Sequence, residues 1–317
     1  MFVVGGESLI DLVSQPVGKD GRRLFEALAG GSPFNCAIAL ARLGNDAGFL
    51  CPISTDSFGD MLMAPLLSAG VTPLIGNRVA APSTLAVATL DERGKASYRF
   101  YREADRAFTR DSLVAALPEK LDLFQIGGFC AILDEDATAW LEVADAAARK
   151  GALITMDPNV RPTLVSDFDA YRARLDLFFD KVNLIKLSDE DLAYLDGEKS
   201  VETHVADLLS RPNCALVVVT YGEAGSRAFT RSAQGAAEAY RPPVFGDTVG
   251  AGDSLMAGIL TILGGWNALS PAALVALPAA RLGEMLRFGA VTAGLNCAHA
   301  GCVPPTRAEV EAVLATN

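Results

Sequence analysis

The chain has 317 residues, 50% of them hydrophobic and 21% charged, which supplies a large buried core and excludes disorder as its governing state. Lys and Arg number 27 against 38 Asp and Glu, a net charge of −11, so no cationic footprint is offered to a nucleic-acid backbone or an anionic bilayer. The longest apolar stretches, 214–219 and 255–263, fall far short of the ~20 residues that span a membrane.

In chain order, strand-like apolar runs at 2–5, 48–51, 121–126, 152–157, 182–187 and 215–220 alternate with helical periodicities at 33–43, 58–69, 134–150, 188–195, 251–263 and 282–298. That alternation belongs to a mostly parallel sheet covered by helices on both faces and predicts an α/β fold. Two excursions interrupt it, at about 12–28 and 82–106. In the second, runs at 84–90 and 97–101 flank a turn at Asp91-Glu-Arg-Gly94, as in a hairpin. With no repeat and no low-complexity linker, the expectation is one α/β domain over 1–317 carrying a small β-rich lid. The N-terminus lacks the basic start and apolar run of a secretory leader, and the six cysteines never occur as C-x-x-C. They are expected to be buried thiols of a cytoplasmic protein.

The most informative stretch is Gly246-Asp-Thr-Val-Gly250-Ala251-Gly252-Asp253, which runs straight into a helical segment. Small residues at 250–252 let the backbone approach a ligand closely, and the first N–H groups of the following helix lack internal partners, which suits an anion. A carboxylate there would repel phosphate unless its task is to take a proton from an attacking hydroxyl. Asp253 as base beside an amide anion hole is the arrangement that phosphoryl transfer needs. The plainer alternative is an Asp cap on a turn of small residues.

This loop, followed by Ser254-Leu-Met-Ala-Gly-Ile259, resembles the second signature of the ribokinase-like, or PfkB, sugar kinases. Ala29-Gly30-Gly31-Ser-Pro-Phe-Asn35-Cys-Ala37 is similar to the first. The resemblance implies a ribokinase-like fold with a lid, a small sugar and ATP as substrates, Mg2+ as cofactor, K+ near the 246–253 loop, and a homodimer formed through the lid. It implies that Gly30, Gly31 and Asn35 line the sugar pocket and that Asp11, in Gly6-Glu-Ser-Leu-Ile-Asp11, accepts hydrogen bonds from sugar hydroxyls.

Further similarities follow along the chain. Asp157-Pro-Asn-Val-Arg161 resembles the segment whose arginine approaches the transferred phosphate, and a guanidinium fork suits a spreading phosphoryl charge. Lys186-Leu-Ser188-Asp-Glu190-Asp191 is similar to the K-x-N-x-x-E segment that organises magnesium and phosphate through water. Ser188 and Asp191 replace its Asn and Glu, with Glu190 the alternative carboxylate. A capped, acidic first helical turn is the structural alternative. Thr220-Tyr-Gly222-Glu-Ala-Gly225 resembles the T-x-G-x-x-G nucleotide turn. Ser54 stands where relatives carry a glycine and is expected to change the backbone locally. Ala290 replaces an asparagine of the adenine wall, and His204 and His299 are read as incidental.

Neither a P-loop G-x-x-x-x-G-K nor a strand-linked G-x-G-x-x-G occurs, which removes the main support for a classical NTPase or a dinucleotide-dependent oxidoreductase. An inactive sugar-binding regulator would need neither Asp253 nor Arg161, and both are present. Tyr98-Arg-Phe-Tyr101-Arg102-Glu-Ala-Asp-Arg-Ala-Phe108 is similar to a run in bacterial fructokinases, which places Tyr101 and Arg102 at the sugar and favours fructose. Kinases of 2-keto-3-deoxygluconate share the Tyr-Arg element, and there the arginine can meet a carboxylate. The keto-deoxy acid is therefore the alternative, followed by nucleosides and other ketoses. The expected reaction is transfer of the ATP γ-phosphate to a primary hydroxyl.

Overall fold

In the computed structural model, which describes residues 1–15, 21–90 and 96–316, the expected alternation resolves into two sheets. The early strands are β1 (Phe2–Gly5), β2 (Leu9–Ser14), β3 (Phe25–Gly30), β4 (Ala47–Leu50), β5 (Thr72–Pro73), β6 (Leu85–Leu90) and β7 (Ala96–Tyr101). There follow β8 (Leu123–Gly127), β9 (Leu153–Asp157), β10 (Leu184–Ser188), β11 (Leu216–Thr220), β12 (Ser226–Phe229) and β13 (Gln234–Ala237). The larger sheet has nine strands among the described residues, in the order β13-β12-β11-β10-β9-β8-β1-β4-β5. Pairing is parallel from β5 across to β11, and β12 and β13 run antiparallel at one edge.

Successive side chains of a strand point to opposite faces, and the buried residues divide accordingly. Phe2, Val4, Phe49, Leu123, Leu184 and Val218 pack on one face beneath the Ser32–Arg42, Ala251–Gly265 and Ala279–Asn296 helices. Val3, Leu50, Phe124, Ile154, Ile185 and Val217 pack on the other, beneath Asp134–Arg149 and Phe168–Phe179. This double burial is why the strands read as continuous apolar runs. The sequence pattern does not predict the helices at Phe168–Phe179 and Arg307–Thr316. In the first, buried Tyr171, Leu175, Phe178 and Phe179 nevertheless follow helical spacing.

The two excursions meet in the smaller sheet, ordered β3-β2-β6-β7. Strand β2 is antiparallel to β3 and parallel to β6, and β6 and β7 pair antiparallel from Leu85 with Tyr101 to Leu90 with Ala96. The turn expected at 91–94 lies outside the described residues. Register sets Asp11 beside Ala86 and Ala86 beside Phe100. Tyr101 consequently faces the opposite side of the lid from Phe100. All six cysteines are free thiols, five of them buried. Among the described residues no helix is long and apolar enough to cross a membrane.

Candidate active site

Neighbouring parallel strands end together at Gly5, Gly127, Asp157, Ser188 and Thr220, and ligands of such sheets bind outside the carboxyl ends. The Ala251–Gly265 helix begins there. Gly250 precedes it at φ 74°, and a Cβ at that position would lie 2.3 Å from Cys302 Sγ, so both backbone and space demand glycine. The N–H of Ala251 reaches the Thr248 carbonyl at 3.1 Å, and that of Ser254 returns to Gly250 at 2.9 Å. Between them the Gly252 and Asp253 amides have no carbonyl partner among the described residues. Two free donors at the positive end of a helix form an anion cradle.

Asp253 lies on the same turn and is 9% exposed. Its Oδ1 accepts the Ser32 hydroxyl at 2.6 Å and its Oδ2 accepts Asn35 Nδ2 at 2.9 Å. Burial raises its pKa, opposed by the bonds from Ser32 and Asn35 and by the charges of Lys186 and Arg161. The outcome is a carboxylate more basic than one in water.

Lys186 extends beneath this turn, where a Cβ on Gly252 would meet its Nζ at 3.1 Å. The ammonium donates to Asp157 Oδ2 at 2.5 Å, and both side chains are buried. Burial pushes Asp157 up to about 6 despite Lys186, whereas for Lys186 the opposing effect of burial is outweighed by Asp157 and its pKa rises. In a chain of net charge −11, the two free amides are the donors this turn offers an anion, with Lys186 beneath them already paired with Asp157.

A cavity of about 580 Å³ opens beside the cradle, with Thr220, Gly222, Gly225, Tyr240, Gly252 and Ala290 in its wall. That size suits a small-molecule ligand. The 246–250 loop that borders it is tied to the C-terminal region. Asp247 accepts the Gly301 N–H at 2.7 Å and that of Val249 at 2.8 Å, and Asn296 Nδ2 donates to the Val249 carbonyl at 2.7 Å.

The model of the pfkB family carbohydrate kinases matches residues 1–309. The chain belongs to the PfkB family of carbohydrate kinases. It is an ATP-dependent sugar kinase. Among its relatives, the probable fructokinase-4 of Arabidopsis thaliana is 33% identical over 325 residues, covering 100% of this chain and 97% of that protein. Fructokinase-1 of Zea mays is 33% identical over 322 residues, covering 98% and 96%. The crystal structure of a fructokinase with bound ATP from Xylella fastidiosa superposes with a TM-score of 0.87 at 27% identity, covering 99% of this chain and 98% of that one.

The structure brings Asp253, Asn35, Lys186 and the 250–252 turn together, with Thr220, Gly222 and Gly225 on the cavity wall. Gly30 and Gly31 lie on the lid side of the same junction. A Cβ at 30 would fall 2.6 Å from Asp11 Oδ2, and Gly31 has φ 114° with Glu7 O 2.9 Å from its Cβ position. Burial raises Asp11 to about 6. Arg161 is exposed, donates to the Val160 carbonyl at 3.0 Å, and carries charge close enough to act on Asp253.

Other expected residues are drawn elsewhere. Both oxygens of Asp191 are occupied, Oδ1 by the Val160 N–H and Oδ2 by the Ser188 N–H and hydroxyl, each at 2.8 Å. Ser188 and Asp191 thus form the capping box of a short helix, and Glu190 is left exposed beside them. Arg102 gives Nε and Nη2 to Asp105 Oδ2 at 2.9 and 2.7 Å. Its Nη1 lies 3.0 Å from Asp136 Oδ2, an ion pair without hydrogen-bond alignment. The guanidinium also covers the Phe129 ring at 4.8 Å. Tyr101 is 58% exposed, on the lid face opposite Phe100, whose ring meets Phe129 edge-on at 5.3 Å. Ser54 has an ordinary negative φ, and its carbonyl accepts Arg78 Nε at 2.8 Å. His204 is buried with Nε2 2.9 Å from the Asp196 carbonyl, a structural contact.

Three site residues carried no signal of their own in the sequence. Ser32 and Asp157 sat inside motifs as spacers, and their partners lie 221 and 29 residues away. Glu7 is 3% exposed, accepts the Phe129 N–H at 2.9 Å, and is raised by burial to about 7. Its carboxylate fills the space a Cβ on Gly128 would need.

Proposed function

We propose that this kinase transfers the γ-phosphate of ATP to a primary hydroxyl of fructose, with Asp253 as general base. The observation that carries the reading is the presence of a buried, basic carboxylate on the same helical turn as two free amides. In this reading the sugar hydroxyl binds Asp253 Oδ1 and Asn35 keeps Oδ2 in place. The Gly252 and Asp253 amides, Lys186 beneath them and Arg161 from solvent stabilise the charge on the transferred group. The nucleotide occupies the cavity walled by Thr220, Gly222 and Gly225. Asp11 holds further sugar hydroxyls, and Gly30 and Gly31 leave room for the ring.

Fructose is supported over 2-keto-3-deoxygluconate by full-length similarity to fructokinases and by Arg102, which already serves two buried acids. A guanidinium so neutralised attracts a substrate carboxylate weakly.

Magnesium fits the donors present. Among the described residues no three His, Cys, Asp or Glu converge, but this ion binds through one or two carboxylates, waters and substrate phosphates. Asp157 Oδ1 is buried without a hydrogen-bond partner among the described residues and Glu190 is exposed, so these would hold it directly or through water, where it would neutralise phosphate charge. The proposal extends to K+ beside the anchored 246–250 loop and to a cytoplasmic location consistent with six free thiols. It also extends to a lid-mediated homodimer, with Leu24, Phe25 and Tyr101 exposed on or beside the lid strands.

The test is ATP consumption by the purified protein with fructose, ribose, 2-keto-3-deoxygluconate or adenosine. Fructose should give the highest kcat/KM. A preference for the keto-deoxy acid would overturn the assignment of substrate.

A further inference from the structure

We propose that Ser32 is itself a phosphoryl acceptor, modified by the enzyme's own ATP chemistry when no sugar is bound. The inference rests on Asp253 acting as the base. A serine at the start of a helix ordinarily turns back to cap the first amides. Here the cap position is Gly31 at φ 114°, and among the described residues no side chain caps the Ser32–Arg42 helix. The Ser32 hydroxyl points instead across the site and donates to Asp253 Oδ1 at 2.6 Å.

Asn35 Nδ2 holds Oδ2 at 2.9 Å, so Oδ1 is the oxygen left to receive an acceptor proton. Ser32 therefore places an O–H where the reaction requires the sugar's, already aimed at the base. A serine side chain and a primary sugar alcohol present the same –CH2–OH group. The free amides of Gly252 and Asp253 lie on the turn that carries the base, so the site for the transferred group adjoins this hydroxyl.

In the transfer, a bond forms between Ser32 Oγ and the γ-phosphorus while the bond from that phosphorus to the β–γ bridging oxygen breaks. The hydroxyl proton passes to Asp253 and ADP departs. The product stays attached, and its charge of about −1.5 to −2 stands beside Asp253 in the place of the sugar. Modification thus inactivates the chain once per molecule. Bound sugar prevents it by displacing Ser32 from the base.

The experiment incubates the full-length protein with ATP and Mg2+ without sugar, maps phosphate by peptide mass spectrometry, and assays fructose phosphorylation in the same sample. Phosphate should accumulate on Ser32 as sugar-kinase activity decays, and saturating fructose should suppress both. Asp253→Asn should slow labelling at least ~100-fold. Ser32→Ala should abolish it, and Ser32→Thr, which keeps a hydroxyl, should retain it. A preparation that turns over fructose yet never carries phosphate on Ser32 overturns the proposal, as does Ser32 labelling that survives Asp253→Asn. Labelling of Ser32 without turnover of fructose supports the proposal and sinks the fructose assignment. Neither labelling nor turnover sinks both.

Discussion

Asp253→Asn separates chemistry from structure because the site can accept the amide. With the asparagine oxygen turned toward Asn35 Nδ2 and its NH2 toward the Ser32 oxygen, which can accept as well as donate, both contacts at 2.9 and 2.6 Å persist. The change also removes a carboxylate whose burial is unfavourable, so stability should hold or rise slightly. What disappears is the proton acceptor. Loss of general-base catalysis lowers kcat by about 100- to 10,000-fold, or roughly 3 to 5 kcal/mol in the barrier. A coupled ADP-release assay with fructose measures kcat, and calorimetry with each substrate measures binding. Affinities should stay within about threefold, because the lost interaction is made in the transition state. Turnover within a few-fold of the parent, in a variant that melts normally, would remove Asp253 from the role of base.

Gly250→Ala places a side chain at φ 74°, which costs roughly 1–2 kcal/mol, and drives a Cβ to 2.3 Å from Cys302 Sγ. Thermal melts should show the loss and steady-state kinetics a raised KM for ATP. Adding Cys302→Ala should recover only part of the effect, because it removes Sγ but leaves the Cys302 Cβ 2.8 Å away and the backbone strained; unchanged KM and Tm in the single variant would contradict the account of the turn. Glu7→Gln addresses pH. Because burial raises Glu7 from 4.5 to about 7, the native state binds its proton more tightly than the unfolded chain. Its contribution is therefore most favourable below pH 4.5 and is lost as pH rises through about 7. Relative to the parent, the Gln variant should gain up to about 3 kcal/mol across that range in urea melts. A stability difference that does not change with pH would refute it.

The fold was legible because double burial writes apolar runs into parallel strands and single-face burial writes helical spacing into their covers. Amphipathic signals weaken where a helix is short or mixed, and Arg307–Thr316 went unmarked for that reason. The lid was legible as two interruptions, but their pairing through β2 and β6 was not, since register is settled by residues more than 70 positions apart, such as Asp11 and Ala86.

At the site, the sequence alone determined the glycine turn and the placement of Asp253 on it. Those are local requirements of backbone reach, left-handed φ and free helix-end amides, and contiguous residues express them. Tertiary structure decided the partners. It set Ser32 and Asn35 on the two oxygens of Asp253, gave Arg102 to Asp105 and Asp136, turned Asp191 into a cap, and put Lys186 under Gly252. A charged side chain takes whichever opposite group lies within a few ångströms in the least solvated place, and that distance exists only once remote segments have packed.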